Sequence, residues 1–247
     1  MNTGLAKRSF LLLFVLFIPW SAFADRSLKS PSIAQGQVLP KKVLLLPVDI
    51  RVSEISAGGA VEKVEEWSKQ AGVNVDTALR ESGARIAQVQ FVNLPMLTTE
   101  ESEIVDNYLA LYDVVGADAF TYGRGQDKAW EHKNKNFDYT LGPGLQFLRE
   151  RSGADVAMFV VGADHISSGG RKAAMVAGTI FAAAFGVILV PQGGPAFVST
   201  GIVDLETGNI LWLNYDTAGG SRDLRVPKDA SAMMSEIFDE YPRKSSE

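Results

Sequence analysis

The chain contains no cysteine in its 247 residues. That excludes disulfides, and it excludes a lipid attached at a lipobox cysteine. Histidine is nearly as scarce: His132 and His165 are the two present. Neither has a second histidine at i+4, and without cysteine they fall short of a structural metal set. Catalytic signatures are missing as well. Asp164-His165 stands beside Ser167 and Ser168, but no G-x-S-x-G elbow surrounds either serine. A turn using Asp and Ser for local backbone bonds is the expected reading. Gly169-Gly-Arg-Lys172 offers free amides and two cations to an anion, yet it lacks the spacing and the Ser/Thr of a phosphate-binding loop. A helix cap with solvated cations is expected there, leaving Arg171 and Lys172 as contacts for an anion or a lipid headgroup. No catalytic residue, cofactor site or metal site is expected.

Basic residues are outnumbered, 24 Lys and Arg against 29 Asp and Glu, for a formal charge of −5. Such a balance disfavours nucleic acid as a partner, because phosphate contacts need a net basic face. Charge of either sign is absent from the whole run Ala173 to Val190. Within it Ala174, Gly178, Ala182 and Gly186 recur every four residues, so on a helix they form one face of small side chains. A helix apolar all round must be covered by the domain, by another subunit or partner, or by lipid. All three remain open from sequence.

What is present begins with an export signal. Lys7 and Arg8 precede the apolar core Phe10–Ile18, and Ala22-Phe-Ala24 supplies the small-x-small pattern for cleavage before Asp25. The apolar core is too short to span a bilayer, and Pro19 ends it. Removal of residues 1–24 would leave enough chain for one α/β domain. The lost Lys7 and Arg8 would take the formal charge from −5 to −7. The expected location is the periplasm, without a lipid anchor.

Residues 25–42 read as a flexible tether, 43–241 as a single α/β domain and 242–247 as a disordered tail. The domain is expected to hold a mixed sheet of about five strands flanked by helices. Val43–Ile50 is apolar but for Asp49, the mark of a strand covered on both faces, with an interruption at Pro47. A turn at Ser53–Gly59 leads to a helix over Ala60–Glu81 divided at Gly72. Arg85–Val92 alternates as a half-buried strand. Thr98-Thr-Glu-Glu101 is a capping box opening a helix with Ile104, Tyr108, Leu111 and Val115 on its inner stripe. A short helix from Gly144 stops at Gly153, where a strand through Val161 begins. The turn Asp164–Lys172 and the helical insertion 173–190 follow. Two strands then form a C-terminal hairpin turning at Gly208, and an amphipathic helix over Ala230–Tyr241 closes the domain.

Three stretches carry a family resemblance: Lys42-Val-Leu-Leu-Leu-Pro47, Gly153-Ala-Asp155 at a strand entrance, and Val203-Asp-Leu-Glu-Thr-Gly-Asn-Ile-Leu-Trp212 in a hairpin. Over Lys41–Tyr215 the chain resembles the α/β domain of curli-secretion-channel-type (CsgG-like) envelope proteins, and the TolB N-terminal domain shares that architecture. The resemblance implies a non-enzymatic envelope component, commonly oligomeric, and carries no functional residue across. The chain departs from that family in lacking the lipid-bearing cysteine. Residues 173–190 also show no strand alternation where the channel proteins insert membrane strands. An accessory protein acting through an envelope partner, self-association or a membrane surface is therefore expected. The competing classes are a ligand binder or hydrolase built on Asp164–Lys172, and a pore-forming oligomer.

Overall fold

The computed structural model describes residues 27–123, 132–133, 136–184, 194–218 and 221–243. Strand β1 (Leu28–Lys29) and a single turn α1 (Pro31–Ala34) precede β2 (Lys42–Leu45), β3 (Asp49–Ile55) and β4 (Val61–Lys63). Helix α2 (Glu65–Ser82) runs into one π-helical turn at Gly83–Ala87 and then β5 (Gln90–Asn93). Helices α3 (Thr99–Tyr122) and α4 (Gln146–Ser152) lead to the long strand β6 (Val156–Ser167). After it come α5 (Gly169–Ala184), the hairpin β7 (Ala196–Asp204) and β8 (Ile210–Ala218), and α6 (Pro227–Asp239).

β6 is the axis of an eight-stranded mixed sheet. On one side it pairs antiparallel with β7 along its length, and β8 and β1 continue outward. On the other side its first half pairs parallel with β2, and its second half pairs parallel with β3. The break between them falls at Leu46-Pro47-Val48, where proline has no N–H to give a ladder. Successive side chains of β6 point to opposite faces, and the apolar run therefore feeds two cores. Val156, Met158 and Val160 join α2 and α6, with Trp212, Met233, Met234 and Phe238. Ala157, Phe159 and Val161 join α3 and α4, with Leu109, Tyr112, Leu145 and Leu148.

The mixed α/β sheet, its flanking helices and the C-terminal hairpin agree with expectation. The strand number does not, because β1 and β4 are short additions at the margins and one expected strand is split into β2 and β3. The stretch read as a tether packs on the sheet instead. Ser30 caps α1 through Ile33 N, its own N–H donates to Leu211 O, and Ile33 is buried. Helix α2 starts at Glu65 and passes Gly72 unbroken. The expected strand at Arg85 is replaced by the π turn and by Gln88, which has φ +55°. Gly83 explains the tight turn, since a Cβ there would stand 2.5 Å from the Phe91 ring.

The capping box of α3 is present: Glu101 N donates to Thr98 Oγ1 at 3.2 Å, and Thr98 N donates to Glu101 Oε2 at 2.8 Å. Its inner stripe is rotated by one residue from expectation. Val105, Leu109, Tyr112, Gly116 and Ala119 face the sheet, while Ile104 and Leu111 are 37% and 40% exposed. Gly201 decides this, because a Cβ there would stand 2.5 Å from the Tyr112 hydroxyl oxygen, and without one the ring lies on β7 with its hydroxyl 3.1 Å from Ser199 Oγ. Thr98→Ala removes a cap and leaves an orphan amide. It is expected to cost about 1 kcal/mol, read as a shift of the denaturant midpoint with unchanged slope.

Candidate functional site

The carboxyl end of a parallel strand pair is where an α/β sheet usually presents its ligand or partner surface. Here that end belongs to β3 and β6, and the chain leaves the sheet there for α5. Asp164–Ser167, expected as part of a turn, is strand: Val52 pairs with Asp164 and Ile55 with Ser167 in the ladder. Extension of β3 to Ile55, beyond its apolar run, is what keeps β6 extended.

The excursion that follows is clamped at both ends. Ser168 N donates to Ile55 O, and Ser168 Oγ caps α5 by accepting from Arg171 N at 3.1 Å. The chain returns at Gly194-Pro195, against the same strand. His165 N donates to Pro195 O at 3.2 Å, and its Nδ1 lies 3.3 Å from that oxygen. Gly194 lies so close that a Cβ on it would be 1.9 Å from His165 O.

α5 begins at the surface. Lys172, Ala173 and Ala174 are exposed, Val176 is 52% exposed, and Arg171 and Met175 are half-buried. Ala174, the first residue of the expected small-residue face, is therefore outside both cores. Gly178 and Ala182 follow on the same helix, and Gly186 lies outside the described residues, as does the insertion beyond Ala184. The helix begins at Gly169, so Arg171 and Lys172 lie within its first turn.

On the face of β6 that meets α2 and α6 lies a cluster of buried and charged groups. Asp164 is 0% exposed and accepts from Leu224 N through Oδ2 at 2.9 Å. Burial pushes its carboxyl up to about 6, with Asp223 adding to the rise while the Leu224 amide, Arg225 and His165 oppose it. The loop carrying Leu224 is itself ordered by charge. Arg225 grips Asp223 with Nε and Nη2 at 2.9 and 2.7 Å, and its guanidinium lies 4.2 Å from the centre of the Trp67 ring. That grip holds the Asp223 carboxyl below its ordinary range. Arg222 bridges Asp216 and Glu236. The alternating charges of Arg222-Asp223-Leu224-Arg225 are visible in the sequence and pair nearby in the chain, but Asp164, Asn74 and Trp67, which receive the loop, lie far away along it.

The catalytic reading of Asp164-His165-Ser167 meets a specific geometry. The carboxyl turns to Leu224 N, the imidazole to Pro195 O, and Ser167 Oγ is buried without a hydrogen-bond partner among the described residues. Two clefts lie at the other end of the parallel strands. One of about 430 Å³ is lined by Leu39, Lys41, Ile86, Gln88 and Arg243, and one of about 300 Å³ by Arg149, Glu150, Asp155 and Glu206. Among the described residues no group of three or more His, Asp or Glu is placed to hold a metal, and no helix is long and apolar enough to cross a membrane.

No protein-family model and no curated protein matches the sequence. Among solved structures the chain is similar to the PelC dodecamer from Paraburkholderia phytofirmans, at 9% identity and TM-score 0.36, over 89% of this chain and 97% of that one. It is also similar to the LpoB C-terminal domain from Salmonella enterica, at 11% identity and TM-score 0.27, over 76% and 93% of the two chains. Such scores mark a loose likeness of chain trace, and at these identities no residue role passes to this chain.

Proposed function

We propose that this chain is an exported, non-enzymatic accessory protein of the cell envelope that works by contact through α5. The observation that carries this reading is an apolar helix whose first turns are exposed. Val176 stands half in water near the start of the uncharged run that reaches Val190. Neither core covers those turns, and an apolar helix left uncovered needs a partner. The export signal supports a periplasmic setting, and the divergent bonds of Asp164 and His165 favour contact over hydrolysis or ligand capture.

The excursion leaves at Ser168 and returns at Gly194, at the same end of β6. A helical crossing takes about 20 residues, so the excursion is too short for two helical crossings. Self-association or an envelope protein is the first partner class. Arg171 and Lys172 at the helix base favour a membrane surface as the second, since cations beside an apolar face suit anionic headgroups.

Val176→Glu places a charge on the exposed face without touching either core. The parent protein is expected to self-associate in sedimentation or to float with vesicles containing anionic phospholipid. The variant should lose that behaviour at an unchanged melting temperature. A parent that is monomeric and ignores both anionic and zwitterionic vesicles would overturn self-association and membrane contact through α5.

A further inference from the structure

Leu224 is the anchor of loop 221–226, and its backbone is clamped at both ends. Its carbonyl accepts from Asn74 Nδ2 at 3.0 Å, and its amide donates to Asp164 at 2.9 Å. The Leu224 side chain is fully buried in the same core as Val52, Ala196 and Trp67. Of the two clamps only Asp164 can change charge. Its Oδ2 is used by the loop, and its Oδ1 is buried with no hydrogen-bond partner among the described residues. A neutral carboxyl fits this geometry at lower cost, since an unpaired O–H at Oδ1 is cheaper to bury than a charge, with the lone pairs of Oδ2 turned to Leu224. A carboxylate fits it at higher cost, because Oδ1 then carries charge in an apolar shell with no donor to meet it. The remedy open to the fold is water, and water reaches Oδ1 only if the loop lifts.

We propose that Asp164 is a proton-controlled pin, holding loop 221–226 on the end of the sheet when neutral and loosening that hold when it ionises. The charges around it are accounted for element by element. From the loop, Asp223 opposes ionisation and Arg225 favours it, while His165 on the same strand favours it weakly. Lys172 on α5 and Glu54 on β3 act on the Asp223–Arg225 pair rather than on Asp164. From α6, Asp229 accepts the Asp223 amide, which keeps the start of the loop in place. Burial outweighs these terms and carries the carboxyl to about 6.

The sign follows from where the proton is bound. The pinned loop keeps a proton that the lifted loop releases at ordinary carboxylate pH. The hold is therefore complete below about pH 4, weakens as pH rises through about 6 and then levels off. A lifted state with an ordinary carboxyl would gain up to ~100-fold in relative population across that window.

The test follows the Leu224 amide and loop hydrogen exchange by NMR in the exported protein from pH 4 to 8. Exchange is expressed as protection relative to Asp164→Asn at the same pH, which cancels the intrinsic pH dependence. Asparagine keeps an acceptor for Leu224 and cannot ionise. The expected result is a Leu224 transition near pH 6 that the asparagine variant lacks, and a fall in relative loop protection of at least tenfold. His165→Gln, which removes the neighbouring titratable ring, should keep the transition. A flat Leu224 resonance in the parent would overturn the proposal, and so would a transition that vanishes with His165. Should Asp164→Asn not fold, the parent titration with the carboxyl carbon of Asp164 resolved still decides the matter.

Discussion

Gly208→Val is expected to lower stability by roughly 2–5 kcal/mol, the sum of left-handed strain and overpacking against backbone. Gly208 has φ +76°, and a Cβ there would stand 1.9 Å from Gly142 O and 2.5 Å from Gly142 C. The obstacle cannot rotate away. Leu141 N donates to Gly208 O at 2.8 Å and Ile210 N to Tyr139 O at 2.9 Å, so the segment before α4 is stitched to the hairpin turn on both sides. The turn is also fixed from within, because Asp204 Oδ1 accepts from Glu206 N, Thr207 N and Thr207 Oγ1. For a domain of this size the loss is a drop of roughly 5–15 °C in melting temperature, seen by calorimetry. Gly208→Asn separates the two causes. Asparagine tolerates positive φ but carries the same Cβ, so it should fail nearly as badly if contact with Gly142 dominates. A fully stable asparagine variant would show that the close approach is relieved at little cost.

The second large effect is expected at Trp212. Its indole is fully buried on β8, 5.3 Å in edge-on contact from the ring of Tyr241, whose hydroxyl donates to Pro40 O at 2.7 Å. Trp212→Ala should cost about 3–5 kcal/mol through lost burial and the cavity left behind. It should also free the Tyr241 contact that ties the chain end beyond α6 to the approach of β2. Trp212→Phe should cost much less than the alanine change. The indole Nε1 has no hydrogen-bond partner among the described residues, so phenylalanine removes a stranded donor along with the volume. Equal losses for alanine and phenylalanine in urea unfolding would show that Nε1 does find a partner. A loss under about 1 kcal/mol for alanine would mean that the core collapses around the gap.

Where the physics is local, sequence and structure agree. The capping box at Thr98–Glu101 needs two side chains three residues apart, and it formed as read. Gly153 and Gly208 stop a helix and turn a hairpin because positive φ is a property of one residue. The apolar run Val156–Val161 had to lie between two layers, since no single-faced strand is apolar at every position. The mixed sheet, the hairpin and the helical start of the insertion followed from such periods. So did the amphipathic last helix, whose Met233, Met234, Ile237 and Phe238 are buried.

Tertiary contact decided the rest. The inner stripe of α3 turned by one residue because the Tyr112 ring lies on the bare backbone of Gly201, and that packing outweighs the larger apolar area of Ile104 and Leu111. Residues 28–34 became part of the sheet edge only because Leu211 and Leu213 on β8 were there to receive them. Asp164 shows the separation most clearly. Its residue type and its place after an apolar run are plain in the sequence, and a solvated turn was the natural reading. Pairing with β3 drew it into the strand, and Leu224, far along the chain, closed over it. Burial, which nothing near position 164 encodes, raises its carboxyl, and the distant Leu224 amide that fixes it works against that rise.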